Sequence, residues 1–257
     1  MDVIIFSGQS NMQGQSECLS EDAVVKDAYE YKWLSDSLEP LKNPVGESIT
    51  YSMGEGYDVT GDTQVSLWLS EHALGASCYG NTNLVPSFCR VYSELTKESV
   101  VAVHAAKGST RIDEWLPGTR IYEILVQKAQ GAIKKVQPER VFFVWLQGES
   151  DALAGVTRSA YKAALRTLCD GLKRDLGINR FGIIRVGSFA NDSRDLEIIS
   201  AQEEICREDE DFAMLTDIAT ELCTKSEYMN PLVRGHYSAR GLELLGAEAA
   251  RALSKMR

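Results

Sequence analysis

A serine and a histidine occupy loops of the kind in which hydrolases carry a nucleophile and a general base. Ser10 lies in the segment Gly-Gln-Ser-Asn-Met, directly after a short apolar run. A serine at such a strand-to-turn junction has backbone N–H groups around it that can meet an oxyanion. The segment is not the Gly-x-Ser-x-Gly elbow of α/β-hydrolases, because Met12 stands at its last position. The alternative is an ordinary turn in which Ser10 and Asn11 bond their own backbone.

The sequence contains three histidines, and a serine nucleophile needs a base whose pKa is near neutral. His236 lies in Arg-Gly-His-Tyr-Ser, a loop just before the last helical pattern. His104 ends an apolar run, which favours a buried structural histidine, and His72 lies in an irregular stretch that suggests no role. His236 is therefore the candidate base, with a solvated loop residue or a helix-entry contact as the alternatives.

Two further segments offer hydrogen-bond donors for an oxyanion. Gly108, in Ala-Ala-Lys-Gly-Ser-Thr, lets the backbone approach a ligand closely, although an ordinary turn is the alternative. Gln147, in Trp-Leu-Gln-Gly-Glu-Ser, can aim its side-chain amide at the same oxyanion, or it can be a buried amide that ties loops together. The order Lys-Gly-Ser-Thr is not a phosphate-binding loop, which needs Gly-x-x-x-x-Gly-Lys-Ser/Thr.

Apolar runs and helical patterns alternate along the chain, which indicates a parallel, doubly wound α/β sheet of about five strands. The runs are short and continuous, as in strands buried on both faces. The best are 3–6, 100–103 and 141–146, and weaker ones cover 181–186 and 212–215. Apolar residues recur near every 3.6 positions within 121–136, 161–176 and 242–253, with Gly177 after the second helix and Ser238 placed to cap the third.

Ligands of such sheets bind beyond the carboxyl ends of the strands. Because the segments that carry Ser10, Gly108 and Gln147 each follow a predicted strand, we expect them to converge on one crevice. Residues from about 35 to 85 are rich in Gly, Ser, Asp and Tyr and do not fit the alternation. We interpret them as a long irregular excursion over one edge of the sheet, within a single domain that spans 1–257.

Composition narrows the classes of function. The net charge is −10 and no run of basic residues is present, which argues against a nucleic-acid partner. The first residues lack the pattern of a signal peptide and no stretch has the length of a membrane span, so a cytoplasmic location is the default expectation. The six cysteines are scattered, which favours free thiols over a disulfide framework or a zinc site. No spacing typical of metal ligands is present, and no cofactor is expected.

Four segments, in order, carry a family resemblance: GQSNM, AAKGSTRIDEW, WLQGESDA and GHYSARGLELLG. Together they resemble the SGNH hydrolases of the sialate O-acetylesterase and acetylxylan esterase group, which is carbohydrate esterase family six. The resemblance runs from Val3 to about Leu245. It implies a three-layer α/β/α fold similar to flavodoxin and the removal of O-acetyl groups from sugars without a metal. Sialic acid and xylan-type sugars are both open as substrates.

The resemblance also assigns roles to residues. Ser10 matches the nucleophile and His236 matches the base. The backbone N–H groups of Ser10 and Gly108 would bind the oxyanion, with the Gln147 side chain as the third donor. Residues beside these would shape the site or contact sugar hydroxyls: Gln9, Asn11, Lys107, Glu149 and Asp151.

One position departs from the family pattern, which usually places Asp three residues before the histidine. Here that position is Val233, which cannot orient or stabilise an imidazolium. A backbone carbonyl near Val233 could orient His236, another acid such as Glu149 or Glu227 could reach it, or the protein could be catalytically weak. An acetylesterase is therefore the leading hypothesis. A carbohydrate-binding pseudoenzyme is the second, and a lipase or thioesterase of the same fold is the third.

Overall fold

The computed structural model describes residues 1–16, 23–47, 74 and 82–256. Within these residues, the centre of the molecule is a seven-stranded sheet. Its order is β3-β2-β4-β1-β5-β6-β7, and each neighbouring pair is parallel except the β2–β3 hairpin. The strands are β1 (Asp2–Gly8), β2 (Ala28–Lys32), β3 (Ser37–Pro40), β4 (Val100–Ala106), β5 (Arg140–Leu146), β6 (Arg180–Ile184) and β7 (Phe212–Thr216).

The five strands expected from apolar runs are confirmed, but the expected total of about five is wrong. The two additional strands lack a continuous apolar run. β2 reads Ala-Tyr-Glu-Tyr-Lys, and its charged residues, Glu30 and Lys32, are buried as an ion pair. β3 is a short, partly exposed edge strand that ends at Pro40, a residue tolerated at sheet edges because it donates no hydrogen bond. The expected irregular excursion therefore begins with a strand.

Helices cover the sheet in two groups. α2 (Val85–Thr96) packs against α8 (Ala239–Leu253), while α3 (Arg120–Val136), α5 (Arg158–Leu176) and α6 (Ser193–Glu208) pack side by side. The arrangement is the expected three-layer α/β/α fold. Short helices complete the described part of the chain: α1 (Ser10–Gln13), α4 (Glu149–Ala154) and α7 (Ala219–Leu222), with single 3-10 turns at Ile112–Trp115 and Ser226–Tyr228.

The three helices expected from apolar periodicity are present, and their ends carry the expected signals. The hydroxyl of Ser238 accepts the N–H of Gly241 and so caps α8. Gly177 ends α5 with a positive φ of 64°, a conformation that glycine adopts without a steric penalty. α2 and α6 were not expected from the sequence.

Strands β1, β4 and β5 end at the same level. Gly8, the last residue of β1, pairs with Ala106 on one side and with Leu146 on the other. Gln9, Lys107 and Gln147 therefore leave the sheet together at one edge. This register confirms the expectation that the three chemistry-bearing segments converge.

An edge ion cluster, formed by Glu30, Lys32, Glu47 and Lys128, lies between the sheet edge and α3. Lys128 and Glu47 are fully buried and their Nζ and Oε1 atoms are 2.7 Å apart, while Lys32 Nζ lies 2.6 Å from Glu30 Oε2. Backbone N–H groups also donate to these carboxylates: that of Trp33 to Glu47, and that of Gly46 to Glu30. The cluster holds the chain that follows β3 against the core. The rest of the expected excursion, 48–73 and 75–81, lies outside the described residues.

The cysteines that the structure describes are unpaired thiols. Cys89 and Cys169 are buried, and Cys206 and Cys223 are partly buried. Burial raises the pKa of the Cys169 and Cys206 thiols to about 12. Cys18 and Cys78 lie outside the described residues. Among the helices of the described chain, none has the length and apolar character needed to cross a membrane.

Candidate active site

The structure brings Ser10 and His236 together at the carboxyl edge of the sheet. Ser10 begins α1 immediately after β1, and its Oγ lies 2.8 Å from Nε2 of His236. Nδ1 of His236 lies 3.0 Å from the carbonyl oxygen of Arg234. A carbonyl oxygen can only accept, so Nδ1 carries the proton and Nε2 presents its lone pair to the serine hydroxyl. This is the geometry of an activated nucleophile and its base.

Among the described residues, no carboxylate takes the place of the missing aspartate. Val233 has a partly exposed side chain, and neither Glu149 nor Glu227 hydrogen-bonds to the imidazole. Across the described residues, no Asp or Glu oxygen lies within 4.0 Å of a His236 nitrogen. Burial lowers the pKa of His236 below 6.5, although the backbone carbonyls of Arg234 and Val233 act in the opposite direction. The imidazole is therefore neutral at pH 7.

Gly108 lies against Ser10, as expected, but its N–H already has a partner. A Cβ added at Gly108 would lie 3.5 Å from Ser10 Cβ. The Gly108 N–H donates to Oε1 of Gln13 at 2.8 Å. Gln13 was not among the expected site residues, although its position three residues after Ser10 places it on the same helix face. An incoming oxyanion must displace the Gln13 oxygen before it can use this donor.

The expected role of Gln147 as an oxyanion donor is not supported. Its side chain is fully buried, and Nε2 donates to the carbonyl oxygen of Thr110 at 2.9 Å and to Oδ2 of Asp151. Its Oε1 accepts the hydroxyl of Tyr161 at 2.9 Å. Both amide hydrogens are therefore engaged away from Ser10. Gln147 ties the loops together, which is the alternative that its sequence context left open.

Three other expected site residues also act on the scaffold. Oε1 of Gln9 accepts the N–H of Ser150 at 3.2 Å, which joins the ends of β1 and β5. Asp151 accepts the N–H of Ile112 at 3.0 Å, and burial raises the pKa of this carboxyl to about 6. The N–H of Lys107 donates to Gly8 at 2.9 Å, which extends the pairing of β4 with β1 by one residue.

Asn11 and Glu149 are almost completely buried beside the Ser10–His236 pair. Nδ2 of Asn11 donates to Oε1 of Glu149 at 2.8 Å and to the carbonyl oxygen of Gly235 at 3.3 Å. Oδ1 of Asn11 accepts the N–H of Tyr237 at 3.2 Å. Oε2 of Glu149 is buried and has no hydrogen-bond partner, and burial raises the pKa of this carboxyl.

A groove of about 710 Å³ opens beside His236, and sequence analysis gave no sign of it. The ring of Phe189 meets the imidazole edge to face, with the ring centroids 6.3 Å apart. Arg234 is exposed at the groove and forms no ion pair with any residue in the described ranges. The polar and aromatic residues of the lining are Ser188, Phe189, Asn191, Asn230 and Arg234.

Of the other two histidines, the structure describes only His104. His104 is fully buried with Nε2 3.0 Å from the carbonyl oxygen of Met12, as expected for a structural histidine. His72 lies outside the described residues. Within the part of the chain that the structure covers, no three His, Cys, Asp or Glu side chains are grouped so as to hold a metal ion.

The fold, with its site at the carboxyl ends of β1, β4 and β5, is that of an SGNH-type esterase. A family model described as carbohydrate esterase, sialic acid-specific acetylesterase, matches residues 1–255. The chain belongs to this family.

Individual relatives agree with the family assignment. A probable carbohydrate esterase of Arabidopsis thaliana is 28% identical over 193 residues, which cover 72% of this chain and 67% of the relative. A crystal structure of an Arabidopsis thaliana protein has a TM-score of 0.69 at 17% identity and covers 100% of this chain and 99% of its own. The crystal structure of NanS has a TM-score of 0.68 at 14% identity, and the match covers 99% of this chain and 98% of NanS. The crystal structure of a carbohydrate acetylesterase from Xanthomonas citri has a TM-score of 0.56 at 15% identity, and the match covers 100% of this chain and 57% of that protein.

Proposed function

We propose that the protein is a serine-dependent O-acetylesterase whose substrates are O-acetylated acidic sugars of the sialic acid type. The observation that carries the proposal is the 2.8 Å contact between Ser10 Oγ and His236 Nε2, in a chain of the sialic acid-specific acetylesterase family. The neutral imidazole accepts the hydroxyl proton, and burial keeps it neutral at physiological pH.

The reaction proceeds in two halves. Ser10 Oγ attacks the acetyl carbonyl carbon while its proton passes to His236 Nε2, and a tetrahedral oxyanion forms. The bond from that carbon to the sugar oxygen breaks, and the sugar oxygen takes the proton from His236. Water then gives a proton to the same nitrogen and attacks the acetyl-serine, and acetate leaves as Ser10 regains its proton.

Two backbone N–H groups, those of Ser10 and Gly108, stabilise the oxyanion. The first N–H groups of a helix have no intrahelical partner, so that of Ser10 is available at the start of α1. The N–H of Gly108 becomes available when Gln13 releases it. Because a charged acceptor bonds an N–H more strongly than a neutral amide oxygen does, the oxyanion displaces Gln13.

The sugar lies in the groove beside His236. The unpaired guanidinium of Arg234 suits a carboxylate, since Arg binds carboxylates through two parallel hydrogen bonds. The face of Phe189 suits the apolar side of a pyranose ring, and the exposed amide of Asn191 can bond its hydroxyls, whereas the amide of Asn230 is engaged with Gln15 and Leu232. This chemistry favours an acidic sugar over a neutral xylan-type sugar.

Replacement of the nucleophile tests the mechanism. Ser10→Ala should lower the hydrolysis of a generic aryl acetate by about 10⁴- to 10⁶-fold and abolish labelling by a serine-directed organophosphate. The matched control is Ser7→Ala, because Ser7 is a buried serine of β1 whose hydroxyl has no partner. Activity or labelling that persists in Ser10→Ala would refute the proposal. Binding of acetylated sugars without turnover by the wild type would favour a binding pseudoenzyme, the reading that Val233 supports.

The same assay, with two sugars, tests the substrate class. Arg234→Gln should raise KM for an O-acetylated sialic acid and leave KM for an acetylated xylo-oligosaccharide unchanged. Arg240→Gln is the control, because Arg240 is also exposed but lies over Tyr228, away from the groove lining. An equal rise for both sugars would contradict recognition of the carboxylate.

A further inference from the structure

The base loop, residues 230–238, must hold His236 in register with a nucleophile on a different element. The group that orients the imidazole is the carbonyl of Arg234, which belongs to the same loop. That contact moves with the loop, so it orients the ring but cannot fix the loop to α1. A triad aspartate in the same loop would have the same limitation. The 2.8 Å contact with Ser10 therefore depends on some other attachment.

Asn11 provides an attachment on both sides of His236. Its Nδ2 donates to the carbonyl oxygen of Gly235, and its Oδ1 accepts the N–H of Tyr237. The two backbone groups need opposite partners, so only one orientation of the amide satisfies both. Because Asn11 directly follows Ser10 in α1, the nucleophile and the base loop are joined through adjacent residues.

Glu149, which lies just after β5, holds the Asn11 amide in this orientation. Its Oε1 accepts Nδ2 of Asn11 at 2.8 Å, the shortest of the three hydrogen bonds of this amide. Glu149 is itself almost completely buried, so its carboxyl group is held in place beside Asn11. We propose that Asn11 and Glu149 are positioning residues that lock the base loop onto the nucleophile helix. The proposal rests on the esterase function assigned above to Ser10 and His236.

Other contacts, which do not involve Asn11, also anchor the base loop. Nδ2 of Asn230 donates to the carbonyl oxygen of Gln15 at 2.8 Å, and Met229 pairs with Tyr237 in a bridge. Phe189 packs so closely on Gly235 that a Cβ there would lie 2.1 Å from its ring. These contacts keep the loop folded when the Asn11 bonds are removed, so the expected defect is a displaced base in a folded protein.

Single and double variants test this role. Asn11→Ala and Glu149→Leu should each lower kcat for an aryl acetate by about 10- to 100-fold, with KM nearly unchanged, since a small misplacement of a catalytic group has an effect of this size. Glu149→Gln keeps an acceptor for Asn11 and should restore kcat to within about fivefold of the wild type. If Glu149 acts through Asn11, the double variant should be no slower than the slower single variant.

A second readout does not need turnover. The pKa of His236, followed by NMR, should rise toward 6.5 in Asn11→Ala because the loosened loop admits water to the imidazole. The control is Asp2→Asn, which changes a buried carboxyl bonded to Tyr92 and Arg140 at the opposite end of β1. It should lower Tm and leave both kcat and the pKa of His236 unchanged.

Several outcomes would overturn the proposal. A folded Asn11→Ala with normal kcat would do so, as would additive effects in the double variant or an unchanged pKa of His236. Should Glu149→Leu fail to fold, Asn11→Ser, which replaces the amide with a shorter side chain that ends in a hydroxyl, still tests the attachment from the side of Asn11. Activity that survives in Ser10→Ala would instead refute the esterase mechanism itself, so the two failures are distinguishable.

Discussion

Two buried polar clusters of this protein are built in different ways. In the edge ion cluster, each cation lies within 3 Å of a carboxylate, as in the fully buried pair of Lys128 and Glu47. At the proposed active site, the charged or titratable groups meet neutral partners: His236 meets a carbonyl and a hydroxyl, and Glu149 meets an amide.

The difference separates two uses of burial. A buried ion pair is held in one arrangement, because removal of either partner leaves an isolated charge in the interior. Neutral partners leave the protonation state of a buried group adjustable, since the pKa is then set mainly by desolvation. The edge ion cluster therefore fixes the chain, whereas the active site keeps His236 able to gain and lose a proton.

The largest effect is expected where charges are paired. Lys128→Met should lower the free energy of unfolding by about 3–5 kcal/mol, because Glu47 would be left buried without its cation. Denaturant unfolding of the variant measures this loss. Lys135→Met, two turns further along α3, is the control, because its pair with Asp36 is exposed and should contribute little. Equal losses of stability in the two variants would show that the buried pair of Lys128 and Glu47 is no more important to stability than an exposed pair.

The next largest effect is expected in the pH dependence of kcat/KM. Because the imidazole must be unprotonated to accept the serine proton, kcat/KM should fall about tenfold per pH unit below the pKa of His236, which lies under 6.5. Asp151 titrates in the same range, with a pKa of about 6, so the profile should also be measured in Asp151→Asn. The acid limb should persist there. A limb centred above 6.5, or one lost in Asp151→Asn, would show that His236 is not the titrating base.

The smallest effect is expected when a charge is added to the neutral site. Val233→Asp restores the acid of the family pattern, but Nδ1 of His236 is already bound to Arg234. The side chain at position 233 is partly exposed, and exposed ion pairs contribute little. We expect kcat/KM to change by less than about fivefold in either direction. A gain of orders of magnitude would mean that the carbonyl does not replace the aspartate.

The strands and helices that surround the site could be predicted because their sequence patterns are local. Apolar runs identified five of the seven strands, and the carboxyl ends of three of them located the segments of Ser10, Gly108 and Gln147. β2 could not be predicted in this way, since its charges are neutralised by partners that include Lys128, about a hundred residues away. Patterns within a segment carry no information about such partners.

For the site residues, too, local patterns were informative and contacts with distant partners could not be predicted. The proximity of Ser10 and His236 could be expected from the order of the motifs along a parallel, doubly wound sheet. The contacts of amide side chains cannot be predicted in this way, because each contact depends on which distant backbone groups lack another hydrogen-bond partner. Gln147 illustrates this limit, since its motif suggested a donor to the substrate and its hydrogens are bonded to Thr110 and Asp151.

The hydrogen bond between Ser10 and His236 joins residues 226 positions apart in the chain. Closing a loop of this length costs entropy that the many contacts in between must first offset. The hydroxyl of Ser10 therefore gains its proton acceptor only when β1 and the loop before α8 have both taken their final places. A chain still emerging from the ribosome carries the serine for 226 further residues before the histidine is added. The proposed esterase activity therefore requires that both segments are folded, and a chain that lacks the base loop cannot cleave an ester by this route.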